Sequence, residues 1–190
     1  MNSTTRTLPR PWSLAEQSSL VQMLWIGAFA VASALSARVE IPVQPVPFTL
    51  QTIVVLLAGA FLGPRNGALS QILYIGAGAI GLPVFAGGAI GLLTLLGPTG
   101  GYLLAFPVAA AIVGYLVQQR RSLLWTATSM LAGLLVVFVS GTAHLYTFYI
   151  KDFSAAVTSG FLIFTVWDLA KLGAASMIYH EVAKRWPRVG

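Results

Sequence analysis

The sequence predicts an all-α integral membrane protein: one bundle of six transmembrane helices with both termini on the cytoplasmic side. Three observations carry that expectation. Of 190 residues, 57% are hydrophobic and only 8% charged, with a mean hydropathy of +0.82, whereas soluble domains carry about 25% charged residues. Apolar runs of near-spanning length recur along the whole chain, not the short alternating segments of a β-barrel. The basic residues are also distributed as six crossings require.

The elements follow in order. Residues 1–18, with Pro9 and Pro11, read as a cytoplasmic N-terminal segment, and residues 19–183 as the transmembrane domain. Span 1 covers about Leu20–Ala37, with no cleavage site and an apolar run too long for a signal peptide. "RVEIPVQPVP" follows, and its three prolines forbid a regular helix. Span 2 covers about Phe48–Leu62, and "GPRNG" (Gly63–Gly67) is a tight turn by composition. Span 3 covers about Ala68–Leu82. Pro83–Gly101 is rich in glycine and uncharged, too apolar for a solvated linker, and reads as a lid packed over the bundle. Spans 4 and 5 cover about Tyr102–Gln118 and Leu123–Thr142, separated by "QRRS". "YIKDFS" precedes span 6, about Ala155–Tyr179, and residues 184–190 form a basic cytoplasmic tail. Several spans are nearer 16 than 20 residues, as in bundles whose helices line a cavity.

With the N-terminus inside, Arg6, Arg10, Arg65, Arg120, Arg121, Lys184, Arg185 and Arg188 lie on the inner side. Arg38 and Lys151 lie outside and Lys171 within a span, which accounts for all 11 Lys and Arg residues. Five or seven spans would spoil this bias. The net charge of +6 therefore orients the chain in the lipid membrane and does not indicate nucleic-acid binding. The Pro-rich and Gly-rich loops both face outward, where a captured solute would arrive. Absence of cysteine excludes disulfides, Fe–S clusters and thiolate zinc sites. Two histidines without an acid at ligand spacing give no metal site. Ser140 and His144 echo an intramembrane serine protease only faintly, because Phe138 stands where that motif needs glycine.

The chemistry concentrates in "VWDLAKLGAA". Asp168 and Lys171 are the only charges in the run from Ala155 to Tyr179. Their three-residue spacing puts them on one helical face, behind Phe161 and Phe164. A charge at the bilayer centre costs at least ~2.5 kcal/mol, which pairing reduces. A self-neutralising pair that only fixes helix packing is one reading. The other is a polar clamp with spare donors and acceptors for a urea, an amide or a carboxylate. Gln51 and Thr49 at the start of span 2, and Gln71 and Tyr74 in span 3, can bond a ligand or a neighbouring helix. Ala28, Ala32 and Ser36 recur every four residues, as do Ala30 and Ala34. Such faces let helices approach closely, inside the bundle or against another membrane protein.

"PVQPVPFTLQT", "GAIGLPVF", "LLGPTGGYLLAF" and "WDLAK" resemble the BioY family, the biotin-binding S components of energy-coupling-factor (ECF) transporters, over roughly Ala28–Ala175. The resemblance implies a six-helix S-component fold in the cytoplasmic (inner) membrane, no enzymatic activity and no cofactor. It implies capture of biotin from outside, with uptake powered by a transmembrane T subunit and two ATP-binding-cassette ATPase subunits. Asp168 would accept from a ureido N–H and Lys171 would donate to the ureido carbonyl. Gln51, Phe85, Gly88, Thr99, Gly100, Tyr102, Phe164 and Trp167 would complete the ligand site under a covering loop. Ala28, Ala30, Ala32 and Ala34 would form the docking face for the T subunit. Some relatives carry Asn or a basic residue after span 3, near the ligand's carboxylate. This chain has neither there, so backbone N–H groups, Thr94, Thr99 or a residue elsewhere must serve. An S component for another vitamin and a stand-alone biotin carrier are the alternatives. An intramembrane enzyme and a purely structural subunit are more distant ones.

Overall fold

A computed structural model describes residues 18–120 and 122–185. The N-terminal segment to residue 17, Arg121 and residues 186–190 lie outside them, and with them Arg6, Arg10 and Arg188 of the charge argument. The elements are α1 (Ser19–Ala37), β1 (Glu40–Ile41), β2 (Phe48–Thr49), α2 (Gln51–Ala79), α3 (Leu92–Leu96), α4 (Gly100–Val117), α5 (Leu123–Leu145), α6 (Phe153–Gly160) and α7 (Thr165–Arg185). Five stretches among the described residues are long and apolar enough to cross a membrane: α1, α2, α4, α5 with its extension to Ile150, and Phe153–Ala183.

The count of five reconciles with six crossings at Gly63. That residue adopts φ 77°, ψ −179° inside α2 and is followed by Pro64, a left-handed conformation that glycine tolerates and a residue that cannot continue the hydrogen-bond ladder. The chain folds back there. Gln51 Nε2 donates to Tyr74 Oη at 2.6 Å, although 23 residues of straight helix would separate them by about 35 Å. A Cβ on Gly67 would lie 2.9 Å from the Cα of Gly59, and one on Gly114 would lie 2.5 Å from the carbonyl carbon of Gly63. Residues 51–62 and 64–79 are thus two antiparallel arms, pressed at their turn against α4.

Two expected elements begin or break elsewhere. Phe48 and Thr49 pair with Ile41 and Glu40 in a two-stranded antiparallel ribbon, so the second helix starts at Gln51 and not at Phe48. The prolines lie in the ribbon's connection, where no ladder hydrogen bond is needed. The sixth span is not continuous. α6 ends at Gly160, Phe161 leaves helical geometry at φ −127°, ψ −62°, and a single 3₁₀ turn, Leu162–Phe164, leads into α7. α5 runs on through a π-helical turn, Tyr146–Ile150, before the connection to α6.

The contacts sort the ends of the bundle. Gly63 lies against Gln118, so the Gly63–Gly67 turn shares one end with the α4–α5 turn. At the other end Arg38 donates to the carbonyl of Pro83, and Tyr149 to that of Leu96. Arg65 and Arg120 are therefore separated by the length of the bundle from Arg38 and Lys151, as the charge argument requires. The core between α2, α4 and α5 is apolar and fully sealed, with Leu56, Val113 and Met130 at its centre.

Candidate functional site

A cavity of about 350 Å³ opens at the Arg38 end, at the small end of the range for ligand sites. Its walls come from the β1–β2 connection, the start of α2, the 83–101 segment, α4, α5 and the 3₁₀ turn leading into α7. Asp168 and Lys171 form the polar wall.

Asp168 is 2% exposed. Its Oδ1 accepts from Thr52 Oγ1 at 2.7 Å and from Lys171 Nζ at 3.1 Å. Lys171 Nζ also donates to the Thr49 carbonyl at 2.7 Å. That carbonyl is available because α2 begins only at Gln51, leaving Thr49 outside the helical ladder. Both of these bonds to the carboxylate go to Oδ1. Asp168 itself lines the cavity. The cluster keeps its acid and base paired while leaving acceptor capacity for a guest.

The apolar walls are aromatic. Tyr102, Phe138 and Phe164 pack on one another with ring centroids 5.9–6.5 Å apart, and Phe48 closes on Phe164 at 4.4 Å. Phe85, also in the lining, stands edge-on to Tyr74 at 5.6 Å. Two glycines make this possible. A Cβ on Gly141 would lie 2.2 Å from the Tyr102 ring, and one on Gly78 would lie 2.1 Å from that of Phe85. Any larger residue at either position would push a wall into the cavity. Tyr102 Oη donates to the carbonyl of Gly160 at 2.7 Å, fastening the wall to the end of α6.

Of the residues expected in the ligand site, Asp168, Lys171, Gln51, Phe85, Thr99, Tyr102 and Phe164 all line this one cavity. Three do not. Gly88 sits beside the lining, next to Gly87 and close to the Arg38 guanidinium. Gly100 is buried against the Leu95 carbonyl, where a Cβ would lie 1.8 Å away, so its role is the sharp entry into α4. Trp167 is 60% exposed, because one residue along a helix is a rotation of about 100° away from Asp168. Sequence reasoning missed Thr52, Glu40, Phe106 and Phe138. Thr52 was legible, lying one residue beyond Gln51, but only the α2–α7 packing brings it to Asp168. Ser140 and His144 do not meet as nucleophile and base: Ser140 Oγ donates to Gly101 O at 2.9 Å and His144 Nε2 lies 3.1 Å from Gly97 O. Both fasten the 97–101 turn to α5.

The alanine face also divides. Ala30 is buried and Ala34 packs on the core, whereas Ala28 is exposed and Ala32 half-buried. Two residues per step of about 200° separate the pairs onto opposite sides of α1.

The fold and site are those of a small-solute-binding helical membrane protein, and the comparisons with known proteins agree. The family model described as "BioY family" matches residues 9–188. The chain is 40% identical over 163 residues to the biotin transporter BioY of Thermotoga maritima, covering 86% of this chain and 96% of the relative. It is 40% identical over 164 residues to the probable biotin transporter BioY of Pyrococcus horikoshii, covering 86% and 94%. The chain belongs to the BioY family. Its fold superposes on a crystal structure of the S-component for biotin from an ECF-type ABC transporter with a TM-score of 0.82, over 88% of this chain and 93% of the other, at 24% identity.

Proposed function

We propose that this chain is the biotin-capturing S component of an ECF-type vitamin transporter in the cytoplasmic membrane, with its cavity toward the outer side and both termini inside. Uptake is then driven by a T subunit and ATP-binding-cassette subunits, since the sequence carries no nucleotide-binding motif of its own. The observation that carries the reading is the buried ion pair on the cavity wall: Asp168 takes bonds from Thr52 and Lys171 through Oδ1, and both charged residues line the opening. A ureido head presents N–H donors and a carbonyl acceptor side by side. Asp168 Oδ2 accepts from a ureido N–H, and Lys171, anchored on Asp168 and Thr49, donates to the carbonyl. Phe85, Tyr102, Phe138 and Phe164 enclose the thiophane ring and alkyl chain. Burying both charges beside a complementary head makes the site selective, because a ligand lacking those groups leaves them unpaired. No cofactor takes part in this scheme. Ala28 and Ala32, the two alanines of α1 not turned into the bundle, serve as the small-residue face against the T subunit.

Calorimetric titration of the detergent-purified protein tests the reading, with biotin against thiamine and riboflavin. Binding of biotin alone, lost in Lys171→Met, is the expected result. A folded protein that ignores biotin overturns it.

A further inference from the structure

Among the described residues the only sealed side-chain polar atom without a hydrogen bond is Thr142 Oγ1, on α5. A buried hydroxyl left unpaired is destabilising. This one lies beside the Tyr102 hydroxyl, which donates instead to the carbonyl of Gly160 at 2.7 Å. The groups converge on one point: a Cβ on Gly160 would lie 2.7 Å from Tyr102 Oη and 3.1 Å from Thr142 Oγ1. The tyrosine therefore has two acceptors beside it and one proton to donate. Its ring lines the cavity and packs on Phe138 and Phe164. Gly160 ends α6, which is built as a separable piece of eight residues. Lys151 before it is left-handed at φ 48°, and Phe161 after it leaves helical geometry. Within it Thr158 and Ser159 donate to carbonyls of their own helix, those of Ser154 and Ala155. Ala156 and Gly160 are its buried residues. A helix this short does not hold its shape alone. It depends on docking, and the Tyr102 bond ties it to the cavity wall.

We infer that Thr142 is a positioning residue acting through Tyr102: it offers the tyrosine hydroxyl a second seat, so that α6 alternates between a docked form, with Tyr102 on Gly160, and a released form, with Tyr102 on Thr142. This rests on the biotin reading and deepens it. A ligand against the Tyr102 ring presses it toward Phe138 and Phe164 and keeps its hydroxyl on Gly160. With the cavity empty the ring turns toward Thr142, which satisfies the hydroxyl there and gives up the hold on α6. A ligand that binds the docked form better shifts the balance toward it by that difference in affinity. None of residues 153–160 lines the cavity. Occupancy is thereby transmitted to an element that the ligand does not touch.

The test is amide hydrogen exchange over residues 153–160 of the detergent-purified protein, with and without saturating biotin, beside calorimetric titration of the same samples. In wild type, biotin should slow this exchange about tenfold, the scale of one hydrogen bond. Tyr102→Phe should exchange fast with and without biotin. Thr142→Val keeps the shape and removes the second seat. Its α6 should exchange slowly before biotin is added, and biotin should bind a few-fold tighter, because the docked form no longer has to be selected. Biotin binding to wild type with no change in α6 would overturn the inference. So would biotin-dependent slowing that survives in Tyr102→Phe, or a Thr142→Val protein whose α6 exchanges as in wild type. Exchange altered equally across α4, α5 and α6 in Thr142→Val would show a packing role only, and would also overturn it. If Tyr102→Phe fails to fold, Thr142→Val decides alone. Failure of wild type to bind biotin would instead remove the biotin reading itself.

Discussion

Two polar clusters lie inside the same apolar bundle, and they are built on opposite plans. Between α1 and the second arm of α2, Ser33 Oγ donates to Gln71 Oε1 at 3.1 Å and Gln71 Nε2 donates to Ser70 Oγ at 3.1 Å. Ser70 in turn donates to Gly67 O at 2.7 Å. All three side chains are neutral and fully sealed. Between α2 and α7, the Asp168–Lys171–Thr52 cluster is charged and borders a cavity, and its bonds to the carboxylate both go to Oδ1. The first cluster consumes its own hydrogen-bonding capacity and can only join helices. The second retains capacity, which in a low-dielectric interior is expensive unless a ligand uses it. Polarity within a span does not distinguish a site from a joint; unspent valence next to open space does.

Substitutions can break that contrast or sharpen it. The largest effect is expected for Asp168→Asn, which strands Lys171 and removes the charged acceptor. Biotin binding should fall about 100-fold or more, on the scale of truncating one partner of a buried charge pair, as read by calorimetry. Gly141→Leu should come next. It drives a side chain into the Tyr102 ring and should abolish measurable binding or lower the melting temperature by several degrees in a detergent thermal-shift assay, since overpacking costs about 1–3 kcal/mol. Thr52→Val keeps the shape and removes one donor to Asp168 Oδ1. A loss of roughly tenfold in affinity, with unchanged melting temperature, is expected. Gln71→Met in the neutral cluster should do the reverse. Stability should fall by about 1 kcal/mol, and biotin affinity should stay within twofold. Equal effects of Thr52→Val and Gln71→Met on affinity would erase the distinction between the clusters.

Much of this was legible in the sequence. Composition and run length determined a helical membrane protein, because apolar surface of that extent has no other stable environment. The two ends of the bundle followed from the basic residues, the hairpin turn from Gly63–Pro64, and the shared face of Asp168 and Lys171 from helical periodicity alone. Seven of the ten expected ligand residues line one cavity, and only Asp168 and Lys171 among them are brought together by local spacing. Trp167, Gly88 and Gly100 lie beside that lining and not in it, because a helix rotation or a sharp turn sets where each falls.

What only the tertiary structure decided were relations between distant segments. The bond from Thr52 to Asp168 spans 116 residues, and that from Lys171 to the Thr49 carbonyl spans 122. Neither is encoded by spacing. Each depends on the ribbon delaying the start of α2, on the α2 arms folding at Gly63 and on the break between α6 and α7 that turns Phe164 into the aromatic wall. Local sequence specifies which backbone a segment adopts. Which side chain keeps an open valence is decided by what packs against it, and that is a property of the whole bundle.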